Sequence, residues 1–148
     1  MSEHTVDLSW SRGDREFGYE TYSRDHELRF DGGATVHASA GAAYHGNASG
    51  IDPEEAFVGA LSSCYLLNFL AVAAKKGQVI DSYDDAAVAV LGKDAEGNTS
   101  VTHVTLRPRI VFSGSPPDDT TLARMHQLAR RDWYIGNSVR AELAVEPR

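Results

Sequence analysis

Between Ala56 and Ala74 the chain has only three clearly polar side chains, Ser62, Ser63 and Asn68. No other stretch limits the fold so strongly. The run opens with helix-start signals: Asp52 suits an N-cap, Pro53 the first helical position, and Glu55 the third place of a capping box. It closes on Lys75-Lys76-Gly77, basic residues followed by a C′ glycine. A helix apolar on every side must be buried on every side. The run approaches the roughly 20 residues of a membrane span, but its polar interruptions and the lack of a second span favour a core helix. One chain of 148 residues cannot cover such a helix alone, so a second subunit is expected to cover part of it.

The helix carries the single cysteine, Cys64, into this interior. The residues alone leave two readings open. Free cysteine is among the most buried residue types and usually packs as a small hydrophobe. A nucleophile would need a thiolate, and so a nearby cation, because burial by itself disfavours the charged form.

Before the helix the pattern has period two. Thr5–Trp10, Glu16–Tyr22, Glu27–Phe30 and Thr35–Ser39 read as strands, with turns at Arg12-Gly13-Asp14 and Asp31-Gly32-Gly33. Residues 41–50 are small and polar, a loop feeding the cap at Asp52. After the helix, Ser82–Leu91 and Ser100–Phe112 read as longer strands joined by Lys93–Asn98, and Pro108 marks an edge or a bulge. An amphipathic helix is expected over Thr120–Arg131, with Leu122, Met125, Leu128 and Ala129 on its apolar face, and a closing strand over Ala141–Val145. This order predicts an α+β sandwich formed as one domain over 1–148.

Fourteen basic against 21 acidic residues give a net charge of −7, which argues against nucleic acid and anionic membrane as partners. One cysteine forms no intrachain disulfide and no leader pattern opens the chain, so a cytoplasmic location is expected. The six histidines show no metal-ligand spacing, and no phosphate loop or nucleophile elbow occurs, so neither metal nor cofactor is expected. The aromatic residues are spread over the strands as core residues would be.

Several segments together resemble the OsmC/Ohr proteins, the osmotically inducible and organic-hydroperoxide-resistance thiol peroxidases. They are Arg24-Asp25-His26-Glu27-Leu28, Asp31-Gly32-Gly33, the P-E-E-x-x-x-x-A-L-S-S-C block from Pro53 to Cys64, and Ile135-Gly136-Asn137-Ser138. The resemblance runs from about Tyr22 to Pro147. It implies a two-layer fold with antiparallel sheets packed around a long buried central helix in an intertwined homodimer. It implies that Cys64 attacks the O–O bond of an organic hydroperoxide while Arg24 and Glu54 hold it as a thiolate, with Arg29 the alternative arginine. In an unbroken helix Glu54 lies ten residues, about 15 Å, below Cys64. It would then act through an arginine, a break in the helix, or the partner subunit.

One departure from the family bears on the cycle. Trp133 stands where relatives carry a second, resolving cysteine, and Arg130 where a histidine is often found. The two-cysteine cycle is therefore closed to this chain. Three readings follow: a one-cysteine peroxidase served by an external thiol or dithiol reductant, a non-catalytic dimer binding a small apolar ligand, or a structural or sensory dimer in which Cys64 only packs.

Overall fold

The computed structural model describes residues 2–148. Cα packing divides the chain into two compact units, Met1–Ala56 and Phe57–Arg148.

In the first unit β1 (Val6–Ser9), β2 (His26–Phe30) and β3 (Thr35–Ala38) form an antiparallel sheet in that order. Val6 faces Phe30 and Leu8 faces Leu28 across one pair, while His26 faces Ala38 across the other. Gly33, at φ 83°, closes the expected hairpin by donating its amide to Phe30 O at 2.8 Å. The strand expected over Glu16–Tyr22 does not form. Gly18 O accepts from the amides of Thr21 at 3.1 Å and Tyr22 at 3.0 Å, which curls the segment into a turn. Its alternating aromatics face out, with Phe17 69% and Tyr19 79% exposed. Period two alone could not distinguish a strand from a turn that displays its rings.

Beyond β3 the loop to the helix is pinned by the buried Ser39. Its Oγ accepts from the Asn47 amide at 2.9 Å, and its own amide donates to Ile51 O at 3.0 Å. Gly46 lies so close to the backbone that an added Cβ would stand 1.6 Å from Ala40 O. The helix α1 (Pro53–Lys75) then starts on a complete capping box. Asp52 Oδ1 accepts from the Glu55 amide at 2.7 Å, and the Asp52 amide donates to Glu55 Oε2 at 3.0 Å.

In the second unit α1 buries one stripe, Leu61, Tyr65, Phe69 and Ala73 at i, i+4 spacing. The opposite face, with Ala60, Ser63, Leu67 and Ala71, stays exposed, and Leu67 is 63% open. By length and composition α1 is also the one helix among the described residues apolar enough to cross a membrane. It ends as expected at Gly77 (φ 68°), with the Gln78 amide returning to Ala73 O at 3.0 Å.

Each long strand expected after the helix is two strands. The first divides into β4 (Ile80–Asp85) and β5 (Val88–Lys93), the second into β6 (Thr99–Leu106) and β7 (Pro108–Phe112). β4 pairs with β7 in one sheet, and β5, β6 and β8 (Glu142–Val145) form another, with β8 parallel to β6 and the remaining pairs antiparallel. The division falls at residues 86–87 and at Arg107. Pro108 accordingly stands at the start of a strand, where a missing amide is tolerated. The corner is held by Asp85, which accepts the Arg107 amide at 2.6 Å and the Ser62 hydroxyl of α1.

Amphipathic α2 (Asp119–Arg131) is capped by Asp118, which accepts the Thr121 amide at 2.8 Å. It buries Met125 and Ala129 against Leu61, Tyr65, Phe69 and Ala73 of α1, Val104 and Leu106 of β6, and Trp133.

Candidate active site

Arg24 and Glu54 belong to the first unit and Cys64 to the second, and each has its own surroundings. Arg24 precedes β2 and is half-buried. Its guanidinium donates to Tyr22 O at 2.6 Å and to Tyr19 O, and it lies over the Tyr22 ring, 3.8 Å from the centroid. That cation–π contact and two carbonyls hold the charge within its own loop. Beside it Trp10, Phe17 and Tyr22 pack edge-on or tilted with centroids 5.4–6.4 Å apart. Trp10 Nε1 donates to Ser23 O at 2.7 Å, fixing the indole. With His26, Ser39, Ala40 and Pro53 these residues line a hollow of about 490 Å³. The aromatics expected in the core are thus the walls of an open apolar pocket with one cation in it. Arg29 is placed differently, at the surface, donating to Glu27 at 2.8 Å.

Between Arg24 and His26 the chain turns Asp25 toward the loop that follows β3. The Ser39 hydroxyl, then Asn47 and His37, hold the Asp25 carboxyl below the ordinary carboxylate range against some desolvation. His26 Nδ1 shares a hydrogen bond of 2.8 Å with Arg24 O. His26 thus braces the carbonyl of the arginine, and Asp25 accepts from Asn47 Nδ2 of the following loop at 3.4 Å. Glu55 is consumed by the cap, whereas Glu54 is half-buried and in no ion pair among the described residues. α1 is continuous from Pro53 to Lys75, with no break in the helix after either glutamate.

Cys64 is half-buried on α1, on the flank between the buried stripe and the exposed face. One turn later Asn68 Nδ2 donates to Cys64 O at 2.8 Å and stands 3.6 Å from Sγ. Among the described residues no other side chain hydrogen-bonds this sulfur. Sequence reasoning counted Asn68 only as a break in an apolar run; its i+4 spacing from the thiol was the signal available.

Trp133 is a core residue, 1% exposed. Its Nε1 donates to Leu61 O at 2.9 Å, and its ring meets Tyr65 edge-on at 5.1 Å. The indole also explains the glycine of Ile135-Gly136-Asn137-Ser138, because a Cβ on Gly136 would lie 2.4 Å from Trp133 Cδ2. Nearby, Tyr65 Oη and His126 Nδ1 share a bond of 2.8 Å. Burial pushes Tyr65 up to about 12 and His126 down. No group of three or more potential metal ligands occurs among the described residues.

A family model described as OsmC-like protein matches residues 46–148. An OsmC-like protein of unknown function from Vibrio cholerae is similar throughout, with 47% identity, all of both chains covered and a TM-score of 0.95. Two organic hydroperoxide resistance proteins share the fold. The one from Elizabethkingia anophelis has 16% identity, covers 99% of each chain and gives a TM-score of 0.69. The one from Bacillus subtilis has 17% identity, covers 97% of this chain and 98% of its own, and gives 0.67. No protein of curated function matches the sequence.

Proposed function

Because this chain belongs to the OsmC-like family, we propose that it is a cytoplasmic thiol-dependent peroxidase that reduces organic hydroperoxides through Cys64. The observation that carries this reading is the setting of Cys64, a half-buried thiol on the flank of the central helix with an amide donor against its sulfur. The two units act as one domain, and a homodimer covers the exposed face of α1. Arg24, from the same chain or its partner, supplies the positive charge that favours the thiolate, and Glu54 acts through that arginine by holding its guanidinium. The guanidinium favours the thiolate by Coulomb attraction and also stabilises the alkoxide as it leaves.

The thiolate sulfur attacks the terminal oxygen of R–O–OH. An S–O bond forms, the O–O bond breaks, and the electron pair leaves on the alkoxide, which takes a proton to become the alcohol. Cys64 is left as a sulfenic acid. A first external thiol displaces water and forms a mixed disulfide. A second thiol attacks that disulfide, releasing Cys64 and the oxidised reductant. Since Cys64 is the only cysteine, both reducing equivalents come from solution.

The test is mass spectrometry of reduced protein after brief exposure to cumene hydroperoxide with a sulfenic-acid trap. A trapped adduct on Cys64, and peroxide consumption that requires added dithiol, are expected. Arg24→Ala should slow trapping roughly ten- to a hundredfold, the worth of one charge-assisted hydrogen bond. A wild-type protein that forms no adduct overturns the proposal. In that event the second reading leads, a non-catalytic dimer holding a small apolar ligand in the pocket of Trp10, Phe17 and Tyr22, whose walls favour it.

A further inference from the structure

We propose, on the peroxidase reading above, that Asn68 is a positioning residue for Cys64, its side-chain amide orienting the sulfur and favouring the thiolate. The side chain has one possible orientation here. Cys64 O, 2.8 Å away, is an acceptor, so only the –NH₂ end of the amide faces it. That group has two N–H bonds. One meets the carbonyl, and the other is free for Sγ at 3.6 Å. A thiol is a weak acceptor, whereas a thiolate carries a full charge and accepts strongly. A donor fixed at this distance therefore favours the charged form.

The residue type is otherwise a poor choice. Asparagine in a helix interior is less favourable than alanine or leucine by several tenths of a kcal/mol, and Asn68 is surrounded in sequence by Leu66, Leu67, Phe69 and Leu70. Its placement is explained by the sulfur one turn back. Because carbonyl and sulfur share one amide, the rotamer of Cys64 is tied to the helix backbone, and the sulfur is held on the flank of α1.

The test is the pH dependence of Cys64 alkylation by iodoacetamide in the full chain, for wild type, Asn68→Ala and Asn68→Leu. Both substitutions raise helix propensity, and circular dichroism checks that both variants fold. Alanine admits water to the thiol and leucine excludes it. Desolvation alone would therefore move the two midpoints in opposite directions. Loss of the donor moves both upward. Unchanged midpoints, or shifts of opposite sign, overturn the proposal. Alkylation needs no peroxide, so failure of this proposal is distinguishable from failure of the sulfenic-acid trap.

Discussion

Replacing Gly136 by alanine should destabilise the protein because of a single side chain, the Trp133 indole. The new Cβ would stand 2.4 Å from Cδ2, 2.7 Å from Cε3 and 2.8 Å from Cγ of that ring, where carbon atoms ordinarily sit about 3.5–4.0 Å apart. The ring would have to retreat by about 1 Å, yet it is fully buried and its N–H is engaged by Leu61 O. Overpacking of this kind costs about 1–3 kcal/mol, and this contact belongs at the upper end. Trp133→Ala alone should cost about 3–5 kcal/mol through the cavity it leaves. In the double variant the new methyl group has space, so Gly136→Ala becomes neutral or slightly favourable through lower unfolded-state entropy. The two changes should therefore couple by about 2–3 kcal/mol. Urea unfolding at fixed protein concentration gives the four free energies. Far-UV circular dichroism is the probe, since removing Trp133 alters the fluorescence. Equal costs of Gly136→Ala in both backgrounds would show that the indole does not limit that position.

Two further expectations concern the second unit. Burial holds His126 below its ordinary value, so the unfolded chain takes up its proton first as the pH falls. Its contribution is whole above about pH 6.5 and declines below it, with a slope of at most about 1.4 kcal/mol per pH unit for one proton. Urea midpoints from pH 7 to 5 should fall in wild type and stay flatter in His126→Phe; parallel curves would refute the assignment. Asp25, with a lowered pKa, acts only at more acid pH. The exposed Ala60, Ser63, Leu67 and Ala71 face should pair with a second copy, obligate interfaces burying upwards of about 2,000 Å². Sedimentation should find a dimer in wild type and a dissociated or aggregated chain in Leu67→Lys; a stable wild-type monomer at micromolar concentration would end that expectation.

The sequence showed most clearly what is local. Asp52, Pro53 and Glu55 act within one turn, and their pattern announces the start of α1, just as Gly77 announces its end. The 3.6-residue period of Leu122, Met125 and Ala129 likewise shows the inner face of α2. The corner between β4 and β5 was not legible, because Asp85-Ala86-Ala87-Val88 contains no glycine or proline; the break depends on an aspartate reaching a distant amide. Period two misled over Glu16–Tyr22, where aromatic residues that suit a strand instead line a pocket. At the candidate site the residues alone left Cys64 open between packing and reactivity, and only the family resemblance pointed to the nucleophile. The role of Asn68 depends on which way one amide faces, and a sequence does not show that. Trp133 was legible as a substitution but not as a core residue, since its burial comes from α1, far away in the chain.

Asp85 bears on how the second unit assembles. Its carboxylate joins segments 23 and 22 residues away, Ser62 on the helix and the Arg107 amide at the corner. Neither partner alone replaces the water it gives up, so a chain with only the helix docked, or only the corner turned, leaves the charge better solvated than bonded. Partial structures thus gain nothing from this group, and the complete one gains both bonds together. A half-buried acid at the junction of two sheets and a helix couples the docking of the helix to the turning of the corner. It keeps the four short strands from surviving as separate hairpins with open edges, the form in which they would be most prone to pair with other chains.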